Sequence, residues 1–167
     1  MKPSEEIKEV FGNLAEIGLA GFSPHSLEGL IILPVEVSEN GPIYSGNSKS
    51  VVNLMAESGI DFGLPSEGDQ TVYRELRGAD WFGPVLFYSI GTYIQNRDVV
   101  SISLGVISNY ITDIFKGSFS KPRVRLGIVV EVEKGRKYKK ISYEGPVEGL
   151  SKLAELAADN FGAIGDD

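Results

Sequence analysis

The chain has 167 residues, 42% of them hydrophobic and 23% charged, which suits one domain with a sizeable core. Its net charge of −7 opposes wholesale binding to nucleic acid or to an anionic membrane surface. With Cys 0, disulfides, thiolate metal sites and cysteine nucleophiles are excluded. A reducing, cytoplasmic setting is expected, and the opening "MKPSEEIKEV" lacks the apolar core of a secretory signal.

Along the chain, Ile7, Val10, Phe11, Leu14 and Ile17 recur at helical spacing after Ser4, a good N-cap. Gly18 and Gly21 supply stop signals, so the pattern predicts a first amphipathic helix. "LEGLIILPVEV" reads as a strand largely buried on both faces; Pro34, lacking an N–H, belongs at an edge, a bulge or the strand's end. A second helix is predicted from about Asn47 to Ser58, closed by Gly59 with Ile60 packing back on the last turn. "DFGLPSEGDQ" is a loop, and "TVYREL" reads as a strand or a helical turn.

"WFGPVLFYSIGTYI" and "VVSISLGVISNYITDIF", separated by the polar "QNRD", read as two helices, with Pro84 in the first turn of one and Asp98 capping the other. "VVSISLGV" also alternates as a strand would. "RVRLGIVVEVEKGRKYKKISYE" is the clearest hairpin signal. A two-residue turn at Lys134-Gly135 sets Leu126 opposite Tyr143, Ile128 opposite Ile141 and Val130 opposite Lys139, and leaves the other side charged. Pro146 at a first helical position opens a last helix with Val147, Leu150, Leu153, Ala157 and Phe161 along one stripe, ending at Gly162.

The expected fold is therefore α+β: a small mixed or antiparallel sheet of about three to four strands packed with about five helices, ending in a β-hairpin and a C-terminal helix. No internal repeat or long linker divides it, so residues 1–167 are expected to form a single domain.

Charge is strongly segregated. Residues 1–115 carry 6 basic and 15 acidic side chains, 116–140 carry 9 and 2, and 141–167 carry 1 and 6. The basic segment places Lys121, Arg123, Arg125, Arg136, Lys137, Lys139 and Lys140 beside Tyr138 and Tyr143, a composition that can bind phosphates and stack a base. The hairpin register also sets Glu133 opposite Arg136 and Glu144 opposite Arg125, which neutralises part of the patch. Contact with an acidic protein surface, including a sister chain, is then at least as good a reading as nucleic acid, and no tight nucleic-acid binding is expected.

"GPIYSGNSKS" has the glycine spacing of a phosphate-binding loop in Gly41 and Gly46, and Ser48 stands at the hydroxyl position. Asn47 stands where that loop needs lysine, and Lys49 is turned about 200° away if the segment is helical. A glycine-rich turn leading into an N-cap is the plainer reading. His25 has Ser23 and Ser26 only as sequence neighbours, which is no catalytic geometry, and Asp61, Glu67 and Asp69 match no metal-loop spacing. No catalytic residue, metal ligand or cofactor is assigned.

Apolar runs of 14 and 17 residues within 81–115 fall short of a bilayer span and are interrupted by Ser89, Ser101, Ser103, Asn109 and Asp113. Their aromatic residues, Trp81, Phe82, Phe87, Tyr88 and Tyr93, are the candidate protein interface; contact with a membrane surface is the lesser alternative. The functional expectation is a cytoplasmic interaction or regulatory domain that self-associates or binds a larger protein. A small-ligand or nucleotide-binding enzyme built on Gly41–Lys49 is the alternative.

Overall fold

A computed structural model describes residues 5–20, 22, 28–64, 72–75, 80–118 and 122–164, the stretch 159–164 by its backbone alone. In chain order the first half is β1 (Glu6–Gly12), a wide turn at Ala15–Leu19, β2 (Leu30–Leu33), β3 (Glu36–Ser38), β4 (Gly41–Ser45), α1 (Ser48–Glu57) and β5 (Val72–Arg74). The second half is β6 (Trp81–Tyr88), α2 (Ile90–Gln95), α3 (Val99–Ile114), β7 (Arg123–Glu133), β8 (Lys137–Pro146), a 3-10 turn at Val147–Leu150 and α4 (Ser151–Ile164). The fold is α+β. Its strands divide into a five-stranded sheet of order β1-β8-β7-β6-β2 and a three-stranded sheet of order β3-β4-β5. Both are mixed: β6 with β7 and β4 with β5 run parallel, and the other pairs are antiparallel.

The β7–β8 hairpin lies at the centre of the large sheet, and its ladder sets Leu126 opposite Tyr143, Ile128 opposite Ile141, Val130 opposite Lys139 and Arg125 opposite Glu144, as its alternation predicts. At the turn, Arg136 N–H closes on the Glu133 carbonyl, but a bulge between Glu131 and Glu133 pairs Glu133 with Lys137 rather than Arg136.

Two segments differ from their predicted type. Residues 6–12 form strand β1, not a helix, because the outer edge of β8 needs a partner: Glu6 to Gly12 pair in sequence with Glu144 to Tyr138. Residues 81–88 form strand β6, not the start of a helix. All eight are buried, and a strand covered on both faces carries a continuous apolar run that periodicity does not separate from a helix. Pro84 survives inside this strand because the ladder to β7 shifts between Phe82 and Val85, a bulge where no N–H is required. Gly83 beside it is demanded by packing, since a Cβ there would collide with the Trp81 ring.

Several other local signals hold, but Pro146 is the extended last residue of β8 and caps the 3-10 turn ahead of α4, not the first residue of a helix. Pro34 follows the last residue of β2. Helix α1 ends in a Schellman arrangement: Ile60 N–H donates to the Met55 carbonyl and Gly59 N–H to that of Ala56, with Gly59 at φ +79°. Asp98 occupies the N-cap position of α3, although its side chain makes no capping bond. Val147, Leu150, Leu153 and Ala157 are buried as one stripe, while α4 runs on past Gly162 to Ile164. Phe161 is a side chain outside those described.

The two faces of the large sheet are covered unequally. One packs Ile32, Leu86, Tyr88, Ile128, Val130, Ile141 and Tyr143 against Leu104, Ile107 and Ile111 of α3 and Leu150 and Leu153 at the C-terminal helix. Burial of this many large apolar side chains, each contributing about 1.5–3 kcal/mol, makes this the main core. On the other face a smaller cluster joins Ile17 and Leu19 of the wide turn to Ile31, Leu33, Val85, Phe87, Val129 and Tyr138. Beyond that cluster, towards Arg125 and Ser142, the second face opens into a cleft.

Candidate functional site

The five aromatic candidates, Trp81, Phe82, Phe87, Tyr88 and Tyr93, are all buried within the chain, and of them Phe82 lines the cleft between the two sheets. Alternation along β6 divides the first four: Trp81 and Tyr88 join the main core, and Phe87 joins the smaller cluster. Phe62 meets Tyr88 edge-on at 5.8 Å, and Phe87 lies 6.0 Å from Tyr138.

The basic candidates are distributed over both faces. Lys139 points to the helical face, where its Nζ pairs with Glu9 at 2.6 Å, donates to the Leu156 carbonyl of α4 at 3.3 Å and lies over the Phe11 ring. Arg123 Nε holds Glu144 at 3.3 Å. Arg136 is exposed in the β7–β8 turn. Arg125 and Lys140 face the opposite way, into the cleft. Lys121 lies outside the described residues, as do His25, Glu67 and Asp69.

The cleft has a volume of about 310 Å³ and lies between the large sheet and the strands β3 and β5. Gly127 and Ser142 are directly opposed at its base, Arg125 and Lys140 flank that pair, and Arg74 reaches in from β5. Phe82, Val85 and Val35 supply apolar wall. Among the described residues Glu36 is the one carboxylate of the lining, and it is ion-paired with Arg74. Lys140 donates a long bond to the Ile17 carbonyl at 3.5 Å. Burial, and after it the positive charge of Arg125, hold the Lys140 ammonium below its ordinary range. The arrangement offers charge and hydrogen-bond donors to an anion. Arg125 and Lys140 were legible in the hairpin register, but Arg74 and Glu36 arrive on the small sheet, which no local pattern announces.

A second surface is the outer edge of β1, which ends the large sheet. Val10 is 41% and Phe11 47% exposed, on opposite faces of that edge. Further exposed apolar side chains, Ile94, Ile102 and Ile114, are scattered over α2 and α3.

The segment "GPIYSGNSKS" is strand β4 followed by a turn into α1. Its turn N–H groups are engaged internally: Gly46 donates to the Arg74 carbonyl at 2.9 Å and Asn47 to Ser45 Oγ at 3.1 Å. The Asn47 side chain and Ser45 Oγ both donate to the Phe82 carbonyl, at 2.7 and 2.6 Å, and fasten this turn to the bulge of β6. Lys49 Nζ lies 5.2 Å over the Tyr73 ring.

Glu131, 4% exposed, is a structural carboxylate. It accepts the Ile90 N–H at the start of α2 at 3.1 Å and the Gly135 N–H of the hairpin turn at 2.9 Å. Among the described residues no cluster of three or more His, Cys, Asp or Glu could hold a metal ion, and no helix is long and apolar enough to cross a membrane. No protein-family model, no curated protein and no solved structure matches the chain.

Proposed function

We propose that the chain is an intracellular protein-interaction domain that self-associates by joining the β1 edges of two copies into one continuous sheet. The observation that carries this reading is the outer edge of β1, seven residues without proline and with Val10 and Phe11 exposed. An unpaired edge presents a row of backbone donors and acceptors, and a second antiparallel strand satisfies them. A two-fold axis at Glu9 places Ile7 opposite Phe11 and Lys8 opposite Val10 of the sister chain, on matching faces of the sheet. The residue that meets its own copy is Glu9, whose charge is already balanced by Lys139. Glu6, Lys8 and Glu9 also guard the edge against indiscriminate strand pairing, which narrows the partner to one of suitable register. A cysteine-free composition suits the reducing compartment proposed.

Light scattering over a dilution series tests the proposal. The chain should show twice its monomer mass at high concentration, and Val10→Lys should return it to monomer with an unchanged circular-dichroism spectrum. A monomer at every concentration would overturn self-association.

A further inference from the structure

We propose that the cleft between the two sheets binds a small organic phosphate monoester. Among the described residues three cations line it, Arg74, Arg125 and Lys140, against one carboxylate, Glu36. The described lining is thus net positive by two charges on a chain whose total is −7. Among the described residues neither Arg125 nor Lys140 has a carboxylate partner in an ion pair: Glu36 is held by Arg74, and Glu144, opposite Arg125, is held by Arg123. Two such cations repel each other, and the proton affinity of Lys140 is lowered by its burial first and by the charge of Arg125 second. An anion seated between them removes the repulsion and leaves the surrounding fold unchanged.

The charge and shape select among anions. A phosphate monoester carries about −1.5 to −2 near neutral pH, which matches the lining, whereas a single carboxylate neutralises half of it. The guanidinium of Arg125 presents a planar fork to two phosphate oxygens, and Lys140 supplies a compact charge beside it. Ser142 adds a hydroxyl, and Gly127, opposite it, leaves the sheet bare: a Cβ there would already stand 3.2 Å from Val85 Cγ2. The organic part of the ligand rests on Phe82 and Val85. A volume of about 310 Å³ admits a small ligand and not a dinucleotide.

Isothermal titration calorimetry of the full chain with phenyl phosphate, inorganic phosphate and benzoate tests the site. Phenyl phosphate should bind at one site per chain, more tightly than either of the others. Arg125→Gln and Lys140→Gln should each weaken it by about tenfold, the loss of one charge-assisted contact, while Lys116→Gln, in the turn that follows α3 and outside the cleft lining, leaves it unchanged. Arg125→Lys, which keeps the charge and loses the fork, should fall between and serves if the glutamine variant melts early. The proposal is overturned by non-saturable binding, by benzoate or inorganic phosphate binding as tightly, or by an equal loss in Lys116→Gln.

Discussion

Lys139 and Glu9 form an ion pair of 2.6 Å across β8 and β1, with the lysine side chain 6% exposed and the glutamate 39%. The pair is lopsided: the carboxylate can return to water if abandoned, and the ammonium cannot. Removing Glu9 leaves a buried cation whose remaining partners among the described residues are the Leu156 carbonyl and the Phe11 ring. Glu9→Ala should therefore cost about 2 kcal/mol, less than a fully buried pair because Glu9 is partly solvated. Lys139→Met, which keeps the packed stem and drops the charge, should cost under about 1 kcal/mol. Urea unfolding of the two variants checks the order; equal costs would contradict it.

Glu131 ties two distant turns to one buried carboxylate. Glu131→Ala leaves the N–H groups of Ile90 and Gly135 without their acceptor, at a cost of about 2–3 kcal/mol. Both amides should lose hydrogen-exchange protection together, although they lie on opposite sides of the variant residue in sequence. Faster exchange at only one of them would show that the carboxylate does not couple the two turns.

Alkaline pH should weaken the fold through its tyrosines. Burial, then the nearby charges of Glu5 and Glu148, push Tyr143 from 10.0 up to about 12; burial also raises Tyr138, where Glu131 adds to the effect, and Tyr88. An unfolded chain releases these protons near their ordinary value while the folded chain retains them, so the unfolded state gains stability first. The contribution of Tyr143 is complete below about pH 10 and is lost as pH rises towards 12. Lys140, lowered by burial, acts in the opposite sense as it discharges, which makes the difference between two chains the clean measurement. Tyr143→Phe should lose stability less steeply over this range than the parent chain, followed by denaturant midpoint against pH. Parallel curves would contradict a titrating Tyr143.

The hairpin register was legible for Arg123–Glu131 against Tyr138–Pro146, because alternation defines two adjacent strands without a distant partner, whereas the bulge that sets Glu133 opposite Lys137 instead of Arg136 was not. The Gly59 cap was legible for the same local reason. Residues 6–12 were not, because Ile7, Val10 and Phe11 satisfy a helical period, and only the vacant edge of β8 decides for a strand. Trp81–Tyr88 were not, because a strand buried on both faces has no alternation to read. The aromatic richness of that strand serves the two cores. The cleft was half legible: Arg125 and Lys140 follow from the register, whereas Arg74 and Glu36 depend on how the small sheet docks.

The edge of β1 is tested most directly by amide hydrogen exchange of residues 6–12 as a function of protein concentration. One set of these amides is bonded to β8, and the alternate set faces outwards. If two copies join through β1, the outward set should become protected as concentration rises while the inward set stays protected throughout. Outward amides that exchange at the same fast rate from the most dilute to the most concentrated sample would contradict pairing through this edge.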